Sequence, residues 1–259
     1  TAGSKEQNMN DKKDQYVTSF QAAMLILNII AVGLICGFIY VTTNRILAHY
    51  DARTFLDSVV TIPVNPRENL IVCMGMMLVL VVTFAVRQVC QQEHSRLTVC
   101  TLAVDAFVCV SLVVQMDFNY NGLLLLVFAN VIAYVKDGKV KIFFVAMAIA
   151  GYLVADYELL SIYKPLYSVS DYIRYYPSNT QQYLFSIYNV IISLNIILFI
   201  VYCVYVINAQ RGTIEEVNQL YHELQTANEQ LKEYADMSER MAQTRERNRL
   251  AREIHDTLG

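Results

Sequence analysis

The sequence predicts an all-α protein, a polytopic six-helix transmembrane bundle whose last span continues as a long helix into a parallel dimeric coiled coil. Three observations predict it. Of 259 residues, 55% are hydrophobic and 17% charged, more apolar and less charged than a soluble domain of this size. Six apolar runs approach the roughly 20 residues a helix needs to cross hydrocarbon. After Pro177 no proline interrupts the chain, while the composition turns from apolar to charged near Asn208, so one helix is expected to pass through both regions.

The elements follow in order. Residues 1–16 read as a tag remnant (Thr1 to Ser4) and a cytoplasmic segment, and residues 17–207 as the transmembrane domain. Four runs are long: Val17 to Thr42, Leu70 to Val89, Leu97 to Met116 and Tyr183 to Ile207. Two are weaker. Phe118 to Val135 is short and carries Asn130, and Val140 to Leu160 carries Asp156 near its end. Lys and Arg concentrate in short cytoplasmic segments. Placing both termini inside puts Lys5, Lys12, Lys13, Arg87, Arg96, Lys136, Lys139 and Lys141 there, against Arg45, Arg53, Arg67, Lys164 and Arg174 outside. The expected orientation therefore has both termini cytoplasmic.

Polar groups in lipid need partners, so Asp105, Asn28, Asn130, Asn189 and Asn195 are expected to face other helices. Asp105 has two readings, an interhelical hydrogen bond or a contact to a signal, proton or ion. The outer segment from Tyr157 to Gln182 is rich in tyrosine, including Tyr163, Tyr167, Tyr172, Tyr175 and Tyr176. These read either as an aromatic belt at headgroup level or as a surface for a small-molecule or peptide signal. With Asp105 they form the candidate signal-sensing set. The outer loops, about 25 residues at most, are too short to bury a core of their own, and the lipid bilayer itself is a further candidate stimulus.

Residues 208–240 read as a coiled coil. Val217, Leu220, Leu224, Ala227, Leu231 and Tyr234 alternate three and four apart, the a/d stripe of a parallel homodimer. The stripe lapses before Leu250, Ile254 and Leu258, which recur every four residues, so the register is expected to change between Ala235 and Leu250. Gly212, where span meets coil, is a candidate hinge. The net charge of −3 with scattered basic residues excludes nucleic acid as a main partner. The cysteines Cys36, Cys73, Cys90, Cys100, Cys109 and Cys203 lie in or beside apolar runs without metal-site spacing, which gives no metal site and points to small core residues.

The last residues read Glu246-Arg247-Asn248-Arg249-Leu250-Ala251-Arg252-Glu253-Ile254-His255-Asp256-Thr257-Leu258-Gly259. This stretch resembles the phosphoacceptor box of sensor histidine kinases, in the subfamily paired with LuxR/NarL-type response regulators. The resemblance implies a protein-histidine kinase of a two-component system in which His255 accepts phosphate. Asp256 would orient the ring and take its proton, and residues 241–259 would begin a dimerisation and phosphotransfer bundle. It also implies ATP with Mg as cofactor, bound by a catalytic domain outside this sequence, so the fragment alone is expected to be inactive. The residue five after His255, which in this family helps dephosphorylate the regulator, would lie beyond Gly259. The chemistry is consistent with the residues: a neutral imidazole has a nucleophilic lone pair, and an adjacent carboxylate stabilises the cation formed on transfer. Arg252 and Asp256, and Arg249 and Glu253, have the spacing of helical ion pairs. The competing readings are a six-span transporter or channel dimerised by the coil, and a non-enzymatic membrane receptor or scaffold. The first leaves residues 246–259 unexplained and shows no pair of broken half-helices; the second predicts that His255 can be replaced without loss.

Overall fold

The computed structural model describes residues 2–63, 65–90, 95–134, 143, 146–147, 150–155 and 157–258. Its two compact units are residues 1–206 and 207–259. Among the described residues there are helices and no strands. They are α1 (Ala2–Ala48), α2 (Ala52–Ser58), α3 (Pro66–Cys90), α4 (Ser95–Gln115), α5 (Gly122–Tyr134), α6 (Tyr157–Ser161), α7 (Val169–Arg174) and α8 (Ser178–Leu258).

Four stretches are long and apolar enough to cross a membrane: Tyr16–Ala48, Pro66–Val89, Leu97–Gln115 and Ser178–Asn208. These are the four strong runs of the sequence. The fifth run forms α5, whose 13 residues rise about 20 Å, short of the roughly 30 Å of hydrocarbon. Most of the sixth run lies outside the described residues; 150–154 are helical, and a bend at Ala155 separates them from α6. Tyr16 and Tyr205 sit with ring centroids 6.1 Å apart, so the apolar part of α1 begins and that of α8 ends at the same end of the bundle.

Local sequence explains the helix ends. Pro66 opens α3 at its first position, where a missing N–H costs nothing. Asn65 Nδ2 donates to Glu68 Oε1 at 2.8 Å in that first turn, and the acidic residue there suits the helix dipole. Pro177 accepts from the amides of Thr180 and Gln181 at 2.8 and 3.0 Å and so begins α8. Two helices end in left-handed caps built without glycine. After α1, Tyr50 has φ 57° and Asp51 N donates to Ile46 O at 3.1 Å. After α4, Asp117 and Phe118 have φ 46° and 60°, and Phe118 N donates to Val113 O at 3.0 Å. The six-to-one bond recovers a carbonyl the helix end would otherwise leave unpaired.

The core of the first unit gathers Met24, Val32 and Ile39 of α1, Met77 of α3, Leu112 of α4 and Leu123 of α5. α5 is buried along nearly its whole length, as befits a helix apolar all round. Of the spans, that of α8 is the least enclosed, with 17% of its window buried against 44% for α1. Cys36, Cys73 and Cys109 are buried free thiols, Cys203 is half-buried and Cys100 exposed.

In the second unit the helix carries its apolar stripe in the open. Val217, Leu220, Leu224, Leu231 and Tyr234 are all exposed. Gly212 is helical. Arg249 pairs with Glu246 at 2.8 Å, one turn toward the N-terminus, while the side chain of Glu253 lies outside the described residues.

Candidate functional site

His255 and Asp256 both lie on α8; their side chains, and with them the Arg252–Asp256 pairing, lie outside the described residues. The geometry available belongs to the first unit, where the polar residues of the spans collect in three layers.

The layer nearest the chain's entry into α1 is built on Asp105. Asp105 is 2% exposed, and its Oδ2 lies 2.5 Å from Arg87 Nη1. Thr83 donates to Oδ1 and Asn130 Nδ2 to Oδ2 at 3.1 Å. Gln21 Nε2 donates to Asn130 Oδ1 at 3.2 Å, and Tyr134 donates to Gln21 Oε1 at 3.4 Å. The cluster therefore ties α1, α3, α4 and α5 together, and the Arg87 guanidinium lies over the Tyr134 ring, 5.6 Å from its centroid. Arg87 Nε has no hydrogen-bond partner. Counting Arg87 among loop cations is thus corrected. It occupies the last turn of α3, 3% exposed, because a carboxylate inside the bundle demands a counter-charge at the same depth.

The middle layer centres on Tyr120. Its hydroxyl donates to Asn28 Oδ1 at 2.9 Å and accepts from Asn195 Nδ2 at 2.8 Å. The ring lies where a side chain on residue 122 would be, since a Cβ on Gly122 would come within 2.6 Å of Tyr120 Cζ and Oη. Gly122 is required by that close approach. Asn28, Asn130 and Asn195 face other helices as the sequence suggests, but Asn189 is exposed. It follows Tyr188 by one residue, a turn of about 100°, which carries it off the bundle-facing side.

The third layer, at the other end of the bundle, holds the tyrosine-rich segment. Tyr167 and Tyr172 are 3% and 2% exposed, Tyr175 and Tyr176 are half-buried, and Tyr163 stands out at 85% exposed. Tyr172 and Tyr175 pack on Phe55 of α2, with centroids 5.1 and 6.2 Å away. The Tyr175 hydroxyl donates to Asp51 Oδ2 at 3.0 Å, and the Tyr176 hydroxyl lies 3.0 Å from Thr42 Oγ1. Four of the five candidate tyrosines thus come together as a cap, and Tyr163 does not join them. An open groove of about 260 Å³ runs between α2 and α7, lined by Thr54, Phe55, Ser58, Asp171, Arg174 and Tyr175. Burial raises the Asp171 carboxyl above its usual range against the opposing pull of Arg174.

The cap is sewn to the turn after α4. Asn119 Nδ2 donates to Tyr167 O at 2.8 Å, Val169 N to Asn119 Oδ1 at 2.9 Å, and Tyr167 N to Asp117 Oδ2 at 3.2 Å. Burial raises the Asp117 carboxyl, opposed by the Tyr167 amide and Lys164. Burial likewise pushes the Tyr167 phenol up, and Asn69 Nδ2 donates to its hydroxyl at 3.4 Å.

No family model matches this chain, and no curated protein or solved structure matches it. The resemblance in residues 246–259 therefore stands on those residues.

Sequence reasoning missed Arg87, Asn119, Tyr120 and Gly122. Arg87 had a signal, an arginine about 18 residues before an intramembrane aspartate. Gly122 and Tyr120 had none, because their contact is made only by the folded turn.

Proposed function

We propose that this chain is the membrane-sensor and signalling-helix part of a two-component sensor histidine kinase, with His255 as phosphoacceptor and Asp256 as its orienting base. The carrying observation is the box from Glu246 to Gly259, in which the charge order and the adjacent His-Asp agree with the LuxR/NarL-paired subfamily. The exposed stripe from Val217 to Tyr234 supports a homodimer, since an apolar a/d seam on a charged helix needs a partner helix. Under this reading the first unit is a six-span bundle in a bacterial cytoplasmic membrane with both termini inside, and the coil is parallel. The stimulus acts from outside or through the bilayer, and the last span passes it to α8. A catalytic domain holding ATP with Mg would supply the γ-phosphoryl group; a His255 ring nitrogen would take it with ADP leaving, Asp256 would orient the ring and accept the proton of the other nitrogen, and the phosphoryl group would pass from His255 to the response regulator.

The test uses the full-length protein in membranes with labelled ATP, alongside His255→Gln. Phosphate stable to base, labile to acid and missing from the variant supports the reading. Equal labelling in both, or none under any lipid condition, sinks it in favour of a transporter or scaffold.

A further inference from the structure

The face of α8 that meets the bundle bears three polar anchors seven residues apart. Tyr188 donates to Asn119 O at 2.5 Å, Asn195 Nδ2 to Tyr120 Oη at 2.8 Å, and Tyr202 to Ala129 O at 2.8 Å. Seven residues are two helical turns, so the three lie in one line. All three reach the turn after α4 or the helix α5 that follows it. Between the anchors, Phe199 meets Phe128 with centroids 6.1 Å apart. Long side chains therefore hold the least enclosed of the four spans. The fit is also incomplete, since the 1% exposed Asn195 keeps an Oδ1 without a hydrogen-bond partner.

The uppermost anchor is shared. Asn119 takes the α8 hydroxyl on its backbone carbonyl, while its side chain holds the outer cap through Val169 N and Tyr167 O. The two residues before it are both left-handed, a conformation that non-glycine residues hold only when their surroundings impose it. The turn is tied within itself by Phe118 N on Val113 O and by Asn119 Nδ2 on Met116 O, and from outside by the cap, through Tyr167 N on Asp117 Oδ2.

We propose that Asn119 couples the outer cap to α8: the cap holds the 117–119 turn in its left-handed form, the turn presents the Asn119 carbonyl to Tyr188, and loosening the cap frees the outer end of α8 to shift. The use of this linkage in signalling rests on the sensor reading above; the coupling itself does not. It assigns a positioning role to Asn119 and makes the Tyr188–Asn195–Tyr202 line the element on which α8 is set.

Val169 offers a selective perturbation. It is the first residue of α7, after the N-cap Ser168 at φ −114° and ψ 133°. Proline suits that position and the extended residue before it. Val169→Pro therefore deletes the amide that donates to Asn119 and changes no residue of α8. The readout is a spin-label distance in the full-length protein in lipid nanodiscs. Unnatural-amino-acid labels at the exposed Val190 of α8 and Phe107 of α4 leave the native cysteines in place, and dilution with unlabelled protein removes inter-protomer signal. Tyr188→Phe, which removes one hydroxyl, is measured in parallel.

Both variants are expected to move or broaden the distance distribution by about 1–2 Å, the scale of helix shifts at packed interfaces. No shift in either overturns the coupling. A shift with Tyr188→Phe alone shows that the anchor matters but the cap does not act through it, and a shift with Val169→Pro alone shows a route that bypasses Asn119; each overturns the proposal. Should Val169→Pro not fold, Asn119→Asp replaces it, keeping an acceptor for Val169 N and losing the donor to Tyr167 O and, within the turn, to Met116 O, with the same expectation. No step uses ATP, so loss of the kinase reading leaves this result standing, and the reverse also holds.

Discussion

Removing Asp105 should harm the bundle more than removing Arg87, although the two form one ion pair. Their side chains are 3% and 2% exposed, with Nη1 and Oδ2 2.5 Å apart. Breaking a buried pair from one side costs about 3–5 kcal/mol, because the surviving charge is left unpaired in a poor dielectric. The survivors differ. In Arg87→Met, Asp105 keeps the donors Thr83 and Asn130 and can discard its charge by taking a proton. In Asp105→Asn, Arg87 cannot deprotonate, and its Nε already lacks an acceptor. Asp105→Asn is therefore expected to cost the full 3–5 kcal/mol, about 6–20 °C in Tm at roughly 2–4 °C per kcal/mol for a chain of this size. Arg87→Met should cost roughly 1–3 kcal/mol, the loss of a buried hydrogen-bonded partner. The double variant should fall well short of the sum, since with neither charge present there is nothing left unpaired. The chain has no tryptophan, but Cys36, Cys73 and Cys109 are buried free thiols, so thermal unfolding can be followed with a thiol-reactive dye in nanodiscs. If Arg87→Met costs as much as Asp105→Asn, or the double variant is additive, the argument from an unpaired guanidinium is refuted.

Three further outcomes are expected. Gly122→Ala should expel the Tyr120 ring, with a cost of about 1–3 kcal/mol for overpacking; combined with Tyr120→Phe the losses should not add, because both variants forfeit the bonds to Asn28 and Asn195, and the same thiol assay reads this. Tyr50→Gly should raise the unfolding midpoint, since Tyr50 is 93% exposed at φ 57° and glycine removes about 1 kcal/mol of left-handed strain. The Asp117 carboxyl is raised in the fold, so the folded cap binds a proton more readily than the unfolded chain. Its contribution is most favourable below the ordinary carboxylate range and is lost as pH rises through the folded value. Hydrogen-exchange protection across residues 166–176, measured relative to the intrinsic exchange rate at each pH, should accordingly rise on acidification toward that range, and Asp117→Asn, which keeps an acceptor for Tyr167 N, should reduce that dependence to the part carried by Asp171.

What the sequence determined by itself is whatever depends on one helix at a time. Apolar length and the absence of proline suffice for Tyr16–Ala48, Pro66–Val89, Leu97–Gln115 and α8, because lipid leaves the backbone no alternative to satisfying itself. The three-and-four spacing from Val217 to Tyr234 and the resemblance carried by residues 246–259 are legible for the same reason, being patterns along one axis. The tertiary structure decided everything that depends on which faces meet. It made Arg87 a buried counter-charge rather than a loop cation, and turned Asn189 outward while Asn195 faces in. It closed Tyr167 and Tyr172 into a cap yet left Tyr163 in the open, though all three are tyrosines of one short segment. Asn119 and Gly122 acquired their roles from a left-handed turn made without glycine. Such a turn is held by its neighbours rather than by its own residues' preferences, and those neighbours come from α1, α7 and α8, far away in the chain.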